Sequence, residues 1–259
     1  MFSATLLASV LLATTALARP SGLNGRLARR AAGRQGKPVQ LIAHPETTNV
    51  SHVEYSENWA GAVYDSYPSG SFTAVTGTFT VPTPSTPSGG SGSYSASAWV
   101  GIDGDTCDTA ILQTGVDFTI DDGDVSYDAW YEWYPDYAYD FSGISFSAGD
   151  SVKLTVTASS TTSGTAVIEN LTTGKTVTQD ITSSSALCEE NAEWIVEDYE
   201  EGDSLVPFAD FGTVTFTGAS ATTSSGSIGP SGATLIDIEQ DSVLTSVSVS
   251  GSDVTIKYV

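Results

Sequence analysis

Alternation with a period of two recurs along the chain. In Val152–Thr157 the residues Val152, Leu154 and Val156 fall on one face and Lys and Thr on the other. Thr213–Thr217 and Val247–Ser248–Val249 repeat the pattern, and Phe72 to Val81 alternates through Val75, Gly77, Phe79 and Val81. Apolar residues at every second position mark a strand with one buried and one wet face. The runs are short and are bounded by Gly, Ser, Pro and Asp clusters, which favour turns. At most one window suits a long helix. Many such strands in one stretch predict an all-β sandwich or barrel. Pro82–Ser95 and Ser220–Gly232, rich in Ser, Thr, Gly and Pro, read as surface loops.

The two ends of the chain differ in character. Leu6 to Leu17 is an apolar run ending in Ala16-Leu17-Ala18, the pattern of a signal peptide cut after Ala18 and too short to span a bilayer. Residues 19–53 then carry Arg19, Arg26, Arg29, Arg30, Arg34 and Lys37, six of the nine basic residues, together with both histidines, His44 and His52. Residues 54–259 hold 30 acidic groups against 3 basic ones, Lys153, Lys175 and Lys257, a formal balance of −27. This split predicts a basic propeptide over 19–53 and a strongly acidic mature domain over 54–259. Such a domain repels phosphate, so nucleic acid and anionic membranes are not expected partners.

Cys107 and Cys188 are the two cysteines, and in an oxidising secretory route an isolated pair is expected to bond. Closing that loop stabilises by about 4–5 kcal/mol in a chain-entropy account. No metal is expected, because two cysteines without a mature-region histidine make a poor ligand set. Asn170-Leu171-Thr172 and Asn49-Val50-Ser51 are glycosylation sequons.

With no histidine after residue 52, a Ser-His-Asp or Cys-His centre cannot be built in the mature domain. Asp-Thr-Gly and Asp-Ser-Gly are absent, so the paired-aspartate pattern is missing too. Carboxylate chemistry remains, assisted by amides, hydroxyls and aromatic rings. Three strand-like segments concentrate such groups. In Tyr127–Tyr134 the residues Asp128, Trp130, Glu132 and Tyr134 share a face that resembles the floor of a polymer-gripping cleft. In Ala110–Phe118 the residues Leu112, Thr114, Val116 and Phe118 point inward and Gln113, Gly115 and Asp117 outward. In Ala192–Glu201 the residue Glu197 shares a face with Ile195 and Glu193. Pattern alone does not choose Glu197 over Glu132 as the working carboxylate.

Asn58–Ala62, Trp99–Gly104, Thr109–Gly115, Tyr127–Pro135 and Ala192–Asp198 occur in order and together resemble the glutamic peptidases, the eqolisin family. The resemblance runs from Asn58 to Val259. It implies a double antiparallel β-sandwich (jelly-roll or concanavalin-like) with a concave substrate cleft, secretion as a zymogen, and endopeptidase activity at acid pH. It places the catalytic pair on Gln113 and Glu197 and supports the Cys107–Cys188 bridge. Trp59, Trp99, Asp103, Asp117, Asp128, Trp130, Glu132 and Tyr134 occupy motif positions that line or support the family's cleft. Departures are the lack of late cysteines, Asp108 in place of a familiar Gln, and a short stretch at Gly202–Val206.

The residue types suit direct attack by water, with Glu197 as base and then acid and Gln113 stabilising the oxyanion. The expected partners are protein or peptide substrates and the chain's own propeptide, in a monomer without a cofactor. Rival readings are a two-carboxylate glycosidase and a sugar-binding module built on the same aromatics. Gln113 discriminates, being central to the peptidase and incidental to both rivals.

Overall fold

Period-two alternation sorts the side chains of each long strand onto two surfaces, and the fold follows from burying one of them. In the computed structural model, which describes residues 33–43, 53–88 and 90–259, two eight-stranded sheets lie face to face. The front sheet runs in the order β2 (Val53–Ser56), β17 (Thr234–Ile238), β3 (Trp59–Tyr64), β12 (Ala192–Glu197), β5 (Ser93–Ile102), β6 (Ile111–Asp121), β7 (Asp124–Tyr134), β8 (Tyr139–Asp140). The back sheet runs β11 (Lys175–Thr182), β10 (Ser163–Asn170), β9 (Ser151–Ser160), β4 (Phe72–Thr80), β15 (Thr213–Thr223), β19 (Asp253–Tyr258), β18 (Thr245–Ser250), with β16 (Gly226–Ile228) also paired to β15. Neighbours are antiparallel except β2 and β17. Among the described residues one 3₁₀ turn, Pro230–Gly232, is the sole helical element. No helix among them is long and apolar enough to cross a membrane.

The layer between the sheets takes Ala96, Ala98, Val100 and Ile102 from β5, Leu112, Val116 and Phe118 from β6, and Ala192, Trp194 and Val196 from β12. They meet Val75 and Phe79 of β4, Leu154 and Val156 of β9 and Phe216 of β15. Fully burying each large apolar side chain stabilises by about 1.5–3 kcal/mol. The residues left between them, Ser97, Trp99, Gln113, Asp117, Glu193 and Glu197, are thereby forced onto the outward face of the front sheet.

Two loop readings are corrected. Ser220–Gly232 is not one loop: Ser220–Thr223 closes β15 and pairs back through β16. Ser93–Ser95, read as loop, opens β5. The bridge joins Cys107 to Cys188, 81 positions apart. The sequon residue Asn170 is fully buried. Its Nδ2 donates to the Ser145 carbonyl (3.1 Å) and to Asp150 Oδ2 (3.0 Å), and its Oδ1 accepts the Thr172 and Thr173 amides. A glycan on Nδ2 would have to displace at least one of its two bonds, so the buried position of Asn170 argues against its modification. The leader Leu6–Ala18, both histidines and the Asn49 sequon lie outside the described residues.

Candidate active site

Strand register builds the site as a grid on the outward face of the front sheet. One row reads Val63, Glu193, Gly101, Gln113, Glu132 across β3, β12, β5, β6 and β7. Two residues along, the next row reads Gly61, Ile195, Trp99, Gly115, Trp130, and the third reads Trp59, Glu197, Ser97, Asp117, Asp128. Carboxylates and an amide thus frame a central aromatic band.

A segment from the N-terminal part of the chain crosses this face as a strap. Its first residues, β1 (Arg34–Gln35), pair antiparallel with β13 (Glu200–Glu201), which forms a hairpin with β14 (Ser204–Leu205). The Ala138 amide donates to the Arg34 carbonyl at 3.1 Å. Further on, the Asn58 side chain behaves like a strand partner: Nδ2 donates to the Pro38 carbonyl (3.1 Å) and Oδ1 accepts the Gln40 amide (2.8 Å).

The strap's side chains and backbone engage the grid directly. Arg34 is buried. Its Nε donates to Asp117 Oδ2 (3.0 Å) and its Nη2 to Asp117 Oδ1 (2.7 Å), while Nη1 reaches Glu132 Oε2 (3.3 Å) and Nη2 reaches Ser97 Oγ (3.2 Å). The guanidinium lies 3.9 Å from the Trp130 ring centre and 4.5 Å from that of Tyr199, favourable cation–π geometry. Gly36 donates its amide to Glu132 Oε2 (3.0 Å) and Lys37 donates its amide to Glu197 Oε1 (3.0 Å). A Cβ on Gly36 would collide with Gln113 Nε2 and lie 3.2 Å from Glu132 Oε2. Gln113, Glu132 and Glu197 therefore converge on a single backbone unit, Gly36–Lys37. The other oxygen of Glu197 accepts the Trp99 indole N–H at 2.9 Å.

Burial sets the electrostatics. It lifts Glu197 to about 7, against the pull of Arg34, the Lys37 amide and the Trp99 indole. It holds Glu132 well above the usual carboxylate range, opposed by Arg34 and the Gly36 amide. Burial works against the charge of Arg34, but Asp117, Glu132 and Glu197 outweigh it and raise its affinity for the proton. Asp198, next to Glu197, is pushed up to about 8 by burial, partly offset by a bond from Gln240 Nε2 to its Oδ2 (2.8 Å).

A sequence profile of the peptidase A4 family matches residues 57–258. The chain belongs to the peptidase A4 family. Its match to aspergillopepsin-2 of Aspergillus niger is 54% identical and spans 98% of this chain and 99% of that protein. Scytalidopepsin B of Scytalidium lignicola is 44% identical over 99% and 98% respectively. A crystal structure of scytalido-glutamic peptidase with a transition state analog inhibitor superposes with a TM-score of 0.71 and 47% identity, covering 78% of this chain and 98% of that one. Family membership makes the protein a peptidase and removes the reason for the carbohydrate readings.

Of the residues expected at the site of this peptidase A4 chain, Gln113, Glu197, Trp59, Trp99, Asp117, Asp128, Trp130 and Glu132 share the grid. Tyr134 packs against the same aromatic band, with Lys37 Nζ 5.9 Å from its ring centre. Asp103 is the exception. It adopts φ +70° and its carboxylate accepts four amides, from Cys188, Glu189, Glu190 and Asn191 (2.7–3.1 Å). It therefore ties the loop before β12, a supporting position off the grid. Sequence reasoning missed Ser97, Asn58 and Tyr199. Ser97 was findable from its alternation with Trp99 and Gly101. The other two show their roles only once the strap is in place.

Proposed function

We propose that the protein is a secreted acid endopeptidase, made as a zymogen, in which Glu197 and Gln113 act on a peptide bond held across the front sheet. The observation that carries this reading is the convergence of Gln113, Glu132 and Glu197 on one backbone unit of an extended peptide. Glu197 takes a proton from water as that water attacks the scissile carbonyl, then returns it to the leaving amine. The Gln113 side-chain N–H donates to the oxyanion as charge develops, an interaction worth about 3–4 kcal/mol in comparable sites. The Trp99 indole anchors one Glu197 oxygen and leaves the other to the water.

The strap explains latency. It occupies Glu197 Oε1 with an amide where the water belongs, and Arg34 neutralises the surrounding carboxylates. The proton affinities of Glu132 and Glu197 set the switch. As pH falls through about 7 for Glu197, their charges are lost and the hold on Arg34 weakens. Release of the strap rehydrates the cleft, which lowers the cost of ionising Glu197 and makes the base available in acid. Residues 1–18 as leader and 19–53 as propeptide complete the reading, with Arg34 and Lys37 supplying the inhibitory contacts.

The test is digestion of a denatured protein at acid pH by matured Gln113→Ala and Glu197→Gln variants. Both should lose nearly all activity with the fold intact. An active Glu197→Gln with a dead Glu132→Gln would transfer the base to Glu132.

A further inference from the structure

Glu193 is a fully buried carboxyl for which the chemistry above has no use, and neither of its oxygens meets a protein donor among the described residues. A leucine would occupy such a place at lower cost, since a buried polar group without a partner is destabilising. Its surroundings suggest why a carboxyl is there. A Cβ placed on Gly101, its neighbour across the strand pair, would lie 2.6 Å from Glu193 Oε1, 2.7 Å from Trp99 Cζ3 and 3.3 Å from Trp99 Cε3. The carboxyl and the benzenoid edge of Trp99 therefore share the space that a side chain at 101 would fill. The opposite side of the same indole carries Nε1, which donates to Glu197. Trp59 closes a further side of the ring, edge-on, at 4.9 Å between centres.

We infer that Glu193 is a positioning residue that braces the Trp99 indole so that its N–H stays aimed at Glu197. This rests on Glu197 being the base. A neutral carboxyl oxygen against the electropositive rim of an aromatic ring is a favourable contact. Val63, Gly101 and Trp99 bring no charge to Glu193, Asp103 and Asp105 face it from the loop after β5, and Glu197 lies four residues along its own strand. No cation among the described residues pairs with it. Burial and the two aspartates hold Glu193 well above the usual carboxylate range, so in acid it is neutral and the brace is intact. Ionisation toward neutral pH leaves an unpaired buried charge beside the ring's edge. The side chain must then turn to water, and Trp99 loses its support.

The experiment compares kcat and KM between pH 3 and pH 7 for the acid-matured enzyme, Glu193→Ala, Glu193→Gln and, as control, Glu197→Gln. Glu193→Ala should lower kcat about tenfold or more with little change in KM, the pattern of a misaimed catalytic group. Glu193→Gln, neutral at every pH, should restore most of that loss and extend activity upward by about one pH unit. Gly101→Ala, which fills the shared space, should reproduce the kcat loss and covers the case in which Glu193→Ala fails to fold. Wild-type kcat and pH profile in Glu193→Ala, beside an inactive Glu197→Gln, would overturn this inference alone. So would a lowered melting temperature in both Glu193 variants without rescue by Gln or movement of the profile, since that is a packing role only. An active Glu197→Gln would overturn the base assignment and the inference with it.

Discussion

Arg34 and Asp117 are joined inside the cleft by two parallel bonds, Nε to Oδ2 and Nη2 to Oδ1, with the guanidinium held between the rings of Trp130 and Tyr199. The fork geometry matters, because a lysine offers one charged point where arginine offers a matched pair of donors. Removing one partner of a buried ion pair costs about 3–5 kcal/mol, on the order of a hundredfold or more in affinity. A synthetic peptide of residues 33–43 should therefore inhibit the matured enzyme near neutral pH. Its Arg34→Ala form should be weaker by about that factor, and Arg34→Lys should fall between them. Inhibition constants from initial rates give the comparison.

Stability should follow the buried carboxyls. Glu132, Glu193, Glu197 and Asp198 all bind protons more tightly folded than unfolded. Their contribution is complete below about pH 4, the range of free carboxyls, and is lost as pH rises through the folded values. For Glu197 and Asp198 those values are about 7 and about 8. These values already include the pull of Arg34 in the strapped cleft, and rehydration on strap release lowers the one for Glu197. The unprocessed chain should therefore melt at a lower temperature at neutral pH than in acid, with a smaller drop in the matured enzyme. Calorimetry of both forms in a Gln113→Ala background, processed in trans, avoids self-digestion. Equal pH dependence in the two forms would contradict the rehydration of Glu197 on strap release.

Trp99→Phe tests the indole bond by itself. That N–H lowers the proton affinity of Glu197, so its loss should move the acid limb of the kcat/KM profile to higher pH. The rate on the plateau should fall as well, since a bond to a charged acceptor is worth about 1.5–3 kcal/mol. A pH–rate profile with an unmoved acid limb would contradict the assignment.

Asn170 is expected to be unmodified and structural. Asn170→Ala removes bonds to the Ser145 carbonyl, Asp150, Thr172 and Thr173. It should destabilise by about 1–3 kcal/mol through the buried groups left unpaired. Mass spectrometry of the chain expressed in a glycosylating host and a urea melt of the variant check the two halves of this statement.

The sequence shows its strand faces wherever large apolar residues alternate with polar ones. Leu112, Val116 and Phe118 against Gln113 and Asp117 are the clearest case, and that alternation places the amide and the carboxylates outward before any coordinates are known. It fails where the buried residues are small. Ala219 and Ala221 are core positions of β15, but alanine among Gly, Ser and Thr carries no hydrophobic signal, so the β15–β16 hairpin reads as a loop. Asp103 shows a different limit. Its motif is legible, but its four amide bonds depend on a left-handed turn and on a loop 85 or more positions away. The charge split foretells basic residues against an acidic cleft. The seat of Arg34 on Asp117 goes with Gly36 two positions on, a residue narrow enough to pass Gln113.

The pairing of β1 with β13 carries a consequence for the freed enzyme. If Arg34 and Gln35 depart, the short β13 edge that they pair with opens beside the cleft. An incoming polypeptide can dock there by its main chain alone, whatever its residues, as a new strand on a waiting edge. The enzyme would then grip unfolded chains indiscriminately and leave the choice of bond to the side-chain pockets beneath.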